Sequence, residues 1–348
     1  MARADAEHSG DVVRVELTER EIAVALRDPR AARELCLRRA RGRDDVAHCT
    51  SDSRLYISRP SPPLVLPTPS ELWYSELDSV VLATAEELVE LLGSFRPEPL
   101  CQHISVLSQE ALRSYLLMNV VRVVRCVEAL RRRGLESGRV LEVGAWFGSF
   151  ALAFQRLGYE VVACDRYPSY GRAFDRYVDL MEQEGVKIAV TTRENELEEI
   201  RSFGLFDAVV AAAVIEHVPH TPRHLLARLF EAVHPGGHMV VDTPNLARYW
   251  NRRVLERGET IFQPLEDQFA CEPPWEGHHR EYTASELEWM LRRVGCVDVD
   301  VEFVDYNLLQ FEELPAEHIE CLATIVEEPS QSDIILGVGR RPTSPGVA

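Results

Sequence analysis

The stretch Val140-Leu-Glu-Val-Gly-Ala-Trp-Phe-Gly148 decides the fold of this chain. Its apolar start is typical of a buried strand, and its two glycines bound a tight turn that leads into a helical pattern. Glycine allows the backbone to leave a strand sharply at such a turn. The stretch therefore predicts the first β-α unit of an open sheet, whose ligands lie beyond the carboxyl ends of the strands.

Six further apolar strands follow and alternate with helical patterns. They are predicted at Val161–Cys164, Lys187–Val190, Ala208–Ala211, Met239–Val241, Val297–Val304 and Ile334–Val338. Repeated β-α units predict an α/β fold in which helices cover both faces of a mostly parallel sheet. Because the stretch 297–304 alternates polar and apolar residues, we expect it at an edge of the sheet.

The part of the chain before residue 108 has a different pattern. Capping boxes that begin at Thr18 and Thr84 predict two helix starts, and the prolines between 58 and 70 predict an extended connector. The strongest helical period, roughly Ser108 to Arg133, follows Pro97 and Pro99. We therefore predict a helical N-terminal extension over 1–107 and one ligand-binding domain over 108–348.

Charge and composition exclude several classes of protein. The formal net charge of the 348 residues is −18, and 36 of the 56 acidic side chains lie in residues 135–348. A nucleic-acid partner is not expected, because its backbone requires a dense surface of Lys and Arg. The chain has no apolar stretch of about 18 residues. It has a polar first decade and no Cys-x-x-Cys pair, so we predict a cytoplasmic protein with no membrane partner.

Two carboxylates mark the predicted ligand-binding edge. Glu142 lies in a strand that is expected to be buried on both faces, where an ionised carboxylate needs donors such as a ligand ammonium or backbone amides. Asp165 ends the second strand, 21 residues after Gly144, and an acid at that point is placed to accept hydrogen bonds from a ribose diol. The turn and the two acids together predict a nucleoside-containing cofactor.

These residues resemble the class I S-adenosylmethionine-dependent methyltransferases. The family's first motif is an acid followed by Gly-x-Gly-x-Gly, and the corresponding residues here are Glu142, Gly144, Trp146 and Gly148. An acid also ends the family's second strand, as Asp165 does. A nicotinamide or flavin fold would instead carry Gly-x-Gly-x-x-Gly, whereas the spacing here is Gly-x-x-x-Gly.

Three later stretches extend the resemblance over about residues 115–340. The stretches 206–219 and 229–245 look like the family's fourth and fifth strands with their flanking turns and helix. The stretch 278–287 is similar to a segment found in the branch that contains quinone O-methyltransferases. The resemblance implies a Rossmann-like seven-stranded sheet in the order 3-2-1-4-5-7-6, with S-adenosylmethionine as the cofactor.

The resemblance also implies which residues form the cofactor site. They are Glu142, Gly144, Trp146, Gly148, Asp165, Arg166, Asn195 and Ala212. Glu142 would fix the methionine end of the cofactor, and the alternative is a buried structural ion pair. Trp146 departs from the motif, which has glycine there, and its ring either walls the methionine end or packs against the N-terminal extension.

Methyl transfer requires in-line positioning and, where the acceptor carries a proton, a base. His217 falls just after the fourth strand, where the reaction centre is expected, and an imidazole titrates near neutral pH. We therefore predict His217, His279 and Glu216 as the catalytic residues. A histidine that only caps the next helix is the alternative for His217, and a carboxylate that faces away is the alternative for Glu216.

A metal site is not predicted. Five residues would make a suitable carboxylate-histidine set, namely Glu216, His217, His220, His278 and His279. However, Pro219 separates His217 from His220, and nothing in the sequence brings the five residues together.

The predicted function is methyl transfer from S-adenosylmethionine to a small-molecule acceptor, with O-methylation of a hydroxylated secondary metabolite as the leading chemistry. The segment 244–281 is predicted to close over the acceptor. Its excess of acidic residues leaves N-methylation of a cationic amine or guanidino metabolite as an alternative. A cofactor-binding protein without transferase activity is the alternative from another class. A homodimer through the extension is a further expectation.

Overall fold

The computed structural model describes residues 12–42, 54–58, 64–66, 75–96, 108–191, 200–271, 275–306, 308 and 313–343. The described strands are β1 (Val12–Glu16), β2 (Arg54–Ser58), β3 (Leu64–Val65), β4 (Arg139–Val143), β5 (Glu160–Asp165), β6 (Lys187–Val190), β7 (Phe206–Ala212), β8 (Val233–Pro244), β9 (Val297–Val304), β10 (Glu313–Leu314) and β11 (Ile334–Arg340). The described helices are α1 (Glu19–Ala25), α2 (Pro29–Arg41), α3 (Glu76–Leu91), α4 (Gln109–Arg131), α5 (Ser149–Arg156), α6 (Asp175–Gln183), α7 (Arg223–Ala232), α8 (Tyr249–Glu256), α9 (Leu265–Ala270), α10 (Ala284–Arg293) and α11 (Ala316–Glu327). Among them, none is both long and apolar enough to cross a bilayer.

Seven strands form the central sheet, in the order β6-β5-β4-β7-β8-β11-β9. All neighbouring pairs are parallel except those of β11, which runs antiparallel to both β8 and β9. The predicted order 3-2-1-4-5-7-6 is therefore confirmed. The alternating strand β9 lies at an edge, as its sequence predicted, because only one of its faces has to be covered.

The sheet separates two hydrophobic clusters, which explains why its central strands are almost wholly apolar. Val140 and Val210 belong to one cluster, whereas the adjacent Leu141 and Val209 belong to the other. Neighbouring residues of a strand point to opposite faces, so each face needs its own set of apolar side chains. Helix α4 covers the first face, and helices α7 and α10 cover the second.

Capping boxes define the starts of three helices. Those at Thr18 and Thr283 begin α1 and α10. The third is at Ser75, whose side chain accepts a hydrogen bond from the amide of Asp78. The helix start predicted at Thr84 is wrong, because Thr84 lies inside α3 and its hydroxyl donates to the carbonyl of Val80 at 2.8 Å. The apolar period of α3 begins before Thr84, so packing selects the earlier cap.

The first part of the extension, from β1 to β2, packs on the C-terminal helix α11, whereas α3 packs on α4 and α5. Strands β1 and β2 form a parallel pair. The amide of Ile57 donates to Oε1 of Glu327 at 2.5 Å, and Nε of Arg33 donates to the carbonyl of Glu327 at 3.0 Å. Apolar side chains of the extension share one hydrophobic cluster with α4 and α11. A domain boundary at residue 107 stays a prediction, and most of the proline-rich connector lies outside the described residues.

Candidate active site

The glycine turn after β4 has the tight geometry that its sequence predicted. The amide of Gly144 donates to the carbonyl of Cys164 at the end of β5, at 2.9 Å. Gly144 has a φ of +77°, and a Cβ atom built on it would lie 2.6 Å from Cγ2 of Val214 in the loop after β7. The turn therefore contacts the ends of both neighbouring strands, and only glycine fits at this point.

This contact leads to a test of the turn. We expect Gly144→Ala to lower the free energy of unfolding by about 2–4 kcal/mol, from the strain of an alanine at positive φ and from the overlap with Val214. Gly134→Ala is the matched control, because Gly134 has a φ of +86° and nothing within 4 Å of the added methyl group. The control should lose only about 1 kcal/mol in urea denaturation. Equal losses in the two variants would rule out a steric role for Val214.

Asp165 ties this turn to the loop after β5. Its Oδ2 atom accepts a hydrogen bond from the amide of Trp146 at 2.7 Å. Its Oδ1 atom accepts from the amide of Arg166 at 2.6 Å and from the hydroxyl of Tyr170 at 3.2 Å. Burial raises the pKa of Asp165, and the two amide hydrogen bonds partly oppose that increase. The carboxylate is thus held in one orientation at the edge where the ribose contact was predicted.

Trp146 adopts a left-handed backbone conformation, with a φ of +47°. Such a conformation is rare for a bulky residue and is favoured at functional turns. The carbonyl of Trp146 accepts from the hydroxyl of Tyr167 at 3.1 Å, so its backbone is fixed from both sides. Its ring packs against Tyr115 of α4 and against Phe147, with centroids 5.0 and 4.5 Å apart. The indole therefore packs on α4 and lines a cavity. Contact with the methionine end of the cofactor and packing against the N-terminal extension both stay predictions.

That cavity lies between α4 and the carboxyl end of β4. Its volume is about 20 Å³ and its lining includes Tyr115, Arg122, Glu142, Trp146 and Ala212. Oε2 of Glu142 is buried and has no hydrogen-bond partner. Burial raises the pKa of Glu142 well above its usual range. A buried carboxyl oxygen without a donor fits a ligand that brings a cation or a hydrogen-bond donor.

A buried ion pair beside the cavity was not found from the sequence. Nε and Nη2 of Arg122 donate to the two carboxylate oxygens of Asp242, at 3.0 and 2.5 Å. Nη1 of Arg122 donates to Oδ1 of Asn119 at 2.7 Å, and the amide of Ala213 donates to Oδ1 of Asp242 at 2.9 Å. The sequence gives one signal for this pair, because Arg122 lies within the apolar pattern of α4 and Asp242 lies within that of β8. The pair fixes α4 to the end of β8.

A second group of polar side chains lies at the carboxyl end of β7. Glu216, His217 and His278 offer one ligand atom each, and these atoms all lie within 4.8 Å of one another. Oε2 of Glu216 accepts from the hydroxyl of Thr243 at 3.0 Å, whereas its Oε1 atom is buried without a hydrogen-bond partner. Nδ1 of His217 lies 2.7 Å from the carbonyl oxygen of Glu276. We call Glu216, His217 and His278 the Glu-His-His cluster.

The electrostatics of the Glu-His-His cluster are set by burial. Burial raises the pKa of Glu216 to about 7, although the nearby His278 favours its ionised form. Nδ1 of His278 lies 3.3 Å from Oε1 of Glu281. Burial would also raise the pKa of Glu281, but hydrogen bonds from His278 and Arg248 outweigh it and hold the value at about 2. His278 thus lies beside two carboxyl groups with different pKa values, about 7 for Glu216 and about 2 for Glu281.

The remaining candidate residues are not part of the Glu-His-His cluster. The amide of His279 donates to the carbonyl of Glu216 at 2.7 Å, and its Nε2 atom lies 3.1 Å from the carbonyl oxygen of Trp275. Nη2 of Arg166 lies 3.6 Å from Oε1 of Glu276. His220 is exposed and is not part of the Glu-His-His cluster. Asn195 lies outside the described residues.

The predicted acceptor segment carries the helices α8 and α9, and side chains in its middle are exposed. Tyr249 and Trp250 pack edge to face, with ring centroids 5.0 Å apart. Phe262 and Phe269 in the middle are 62% and 88% exposed, and residues 272–274 are not described. A role of this segment as a lid over the acceptor stays a prediction.

The sheet order, the glycine turn and the acids that end β4 and β5 define a class I S-adenosylmethionine-dependent methyltransferase. A family model described as a methyltransferase domain matches residues 121–301, slightly more than half of the chain. The chain therefore belongs to this methyltransferase-domain family, and the predicted family and cofactor are confirmed.

Individual relatives match over shorter stretches. The ubiquinone biosynthesis O-methyltransferase of Rickettsia akari (strain Hartford) is 28% identical over 123 residues, which are 35% of this chain and 47% of that protein. The mitochondrial protein of the same name from Mus musculus is 29% identical over 117 residues, 32% of this chain and 30% of that protein. The chain thus spans less than half the length of these relatives. A solved Thermotoga maritima structure, described as a possible histamine N-methyltransferase, has a TM-score of 0.42 and 16% identity over 66% of this chain and 94% of that one.

The residues at the cavity fit the amino-acid end of S-adenosylmethionine. Oε2 of Glu142 is a buried acceptor without a donor, and the ammonium group of the cofactor supplies one.

Proposed function

We propose that this protein transfers the methyl group of S-adenosylmethionine to a hydroxyl oxygen of a small-molecule acceptor. The observation that carries the proposal is the Glu-His-His cluster, which lies just after β7 and close to the glycine turn. Val214, two residues before Glu216, is the side chain that a Cβ atom on Gly144 would meet. The cluster and the cofactor turn thus share one edge of the sheet.

The chemistry of the cluster suits an acceptor that must lose a proton. The sulfonium of the cofactor is already an activated methyl donor, so the protein has to position the acceptor and accept its proton. A group with a pKa near 7 is well matched to that role at neutral pH, and Glu216 has such a value. His217 and His279 stay predicted bases, although Nε2 of His279 already contacts the carbonyl oxygen of Trp275.

Two further facts support oxygen rather than nitrogen as the acceptor atom. Acidic residues of the segment 244–281 pair with its own arginines, as Arg248–Glu281 and Arg257–Glu259 do. Such pairs leave less acidic surface for a cationic amine. The relatives in Rickettsia akari and Mus musculus carry the name ubiquinone biosynthesis O-methyltransferase. N-methylation and cofactor binding without transfer are the outcomes that would replace this proposal.

The test is a screen of hydroxylated and basic metabolites for a mass gain of one methyl group. We expect hydroxylated acceptors to be converted, and we expect Glu216→Gln to lower kcat by about 100-fold or more. Glu231→Gln is the control, because Glu231 is an exposed partner of Arg201 and should keep full activity. Conversion of amines alone would replace the proposal by N-methylation. Cofactor binding with no conversion in the whole screen would favour the non-catalytic alternative.

Three broader predictions accompany the proposal. The acceptor belongs to secondary metabolism, the protein is cytoplasmic, and the N-terminal extension mediates a homodimer. Sedimentation of the purified protein would decide between a monomer and a dimer.

A further inference from the structure

The Glu-His-His cluster has the donor set of a metal site, and the sequence did not predict that its three residues meet. One carboxylate and two imidazoles are a common ligand set for zinc and for other divalent transition metals. Their ligand atoms lie within 4.8 Å of one another, a spacing that a central ion can bridge. Oε1 of Glu216 is fully buried without a hydrogen-bond partner, an arrangement that is costly unless a cation or a donor binds there.

The surroundings of both histidines select the nitrogen that would bind a metal. A carbonyl oxygen can only accept, so the contact with Glu276 places a hydrogen on Nδ1 of His217. The carboxylate of Glu281 does the same for Nδ1 of His278. A neutral imidazole with a hydrogen on Nδ1 has its lone pair on Nε2. Histidines that ligate metals are typically held in this way by a carbonyl or a carboxylate.

The carboxylates around the cluster are themselves held in place. The hydroxyl of Thr243 binds Oε2 of Glu216, which orients Oε1 as the remaining acceptor. Glu281 accepts from Nη1 and Nη2 of Arg248 at 2.6 and 3.0 Å and from Asn251 at 2.9 Å. The amide of His279 donates to the carbonyl of Glu216, which joins the loop after β7 to the segment that carries His278. The three ligand groups are therefore held together by hydrogen bonds of the protein itself.

We propose that Glu216, His217 and His278 bind one divalent transition-metal ion of the Zn²⁺, Mn²⁺ or Co²⁺ type. Three protein ligands leave coordination positions open for oxygen atoms of an acceptor. The role of the ion rests on the proposed O-methylation. With the ion bound, Glu216 would be a ligand and not the base. The ion would lower the pKa of the bound hydroxyl, whose proton would pass to water, the oxygen would form a bond to the methyl carbon, and the electron pair of the broken carbon–sulfur bond would stay on sulfur.

The test is titration of the full chain with Co²⁺ after treatment with a chelator and its removal. We expect one binding site and the visible absorption of a Co²⁺ ion with nitrogen and oxygen ligands. His278→Ala should weaken binding by more than about 100-fold, and Glu281→Gln, which changes only a partner of a ligand, by about 10- to 100-fold. His220→Ala is the matched control and should bind as the wild type does, because His220 is outside the cluster.

Glu216→Gln is the second test variant, for the case that His278→Ala does not fold. It keeps the size of the side chain and an oxygen for Thr243, and it should still lose Co²⁺ binding while its circular dichroism matches that of the wild type. Equal Co²⁺ affinity of the wild type, His278→Ala and Glu216→Gln would overturn the proposal, and so would the absence of Co²⁺ binding by the wild type.

The metal site and the proposed function can fail separately. Co²⁺ binding that depends on His278, with no methyl transfer in the metabolite screen, would retain the metal site and remove O-methylation. Methyl transfer by the chelator-treated protein at the full rate would retain O-methylation and remove the catalytic role of the ion. Binding of S-adenosylmethionine should be the same with and without Co²⁺, because the cluster is separate from the cavity at Glu142.

Discussion

Replacing Asp165 by alanine is expected to weaken binding of S-adenosylmethionine by at least about 100-fold. The carboxylate accepts hydrogen bonds from two backbone amides, those of Trp146 and Arg166, and from the hydroxyl of Tyr170. Its loss removes the predicted ribose acceptor and also releases the glycine turn. A buried donor that loses its acceptor costs about 1–3 kcal/mol, so the turn would lose its bound geometry as well as a contact. Calorimetric titration with the cofactor measures the effect.

Asp175→Ala is the control for this experiment. Asp175 pairs with Arg172 on an exposed surface, and such pairs contribute about 0–1 kcal/mol. The control should therefore bind the cofactor as the wild type does. A dissociation constant of Asp165→Ala within threefold of the wild-type value would show that Asp165 does not contact the cofactor and that its hydrogen bonds to the turn are not needed for binding.

The sheet could be predicted from the sequence because the signal for each strand lies within a few neighbouring residues. Each central strand is a short apolar run next to a turn signal, and the strict alternation of Val297–Val304 predicts the edge position of that strand. The start of α3 could not be predicted in the same way. Ser75 and Thr84 both head a capping box in the sequence, and only the packing of the helix selects between them.

The cofactor part of the candidate site could also be predicted, because its residues lie in short contiguous motifs. Glu142, Gly144 and Asp165 lie in or next to contiguous motifs, so their places at the strand ends follow once the strands are known. The Glu-His-His cluster depends on how the long segment between His217 and His278 folds back, and no periodicity encodes that path. The sequence therefore supplied the residue types of a metal site but no indication that they meet.

The ion pair of Arg122 with Asp242 could not be predicted from the sequence either, because its two residues are far apart in the chain. Replacing Arg122 gives the second large expected effect. We expect Arg122→Met to lower the free energy of unfolding by about 3–5 kcal/mol in urea denaturation, because it removes one partner of a buried ion pair. Asp242 is buried with Arg122 and would keep a charge whose remaining hydrogen bond, among the described residues, comes from the amide of Ala213. The attraction of Asp242 raises the pKa of Arg122 despite burial, so the guanidinium cannot relieve the cost by losing its proton.

Two further variants separate the charge from the packing. Arg201→Met removes a partner of the exposed ion pair with Glu231 and should change stability by less than about 1 kcal/mol. The double variant Arg122→Met with Asp242→Asn removes both charges while keeping an acceptor for Ala213. It should recover much of the loss, since a buried pair costs nearly as much to desolvate as it returns. If the double variant is as unstable as Arg122→Met alone, Arg122 stabilises α4 through its packing and its contact with Asn119, and the charge pair contributes little.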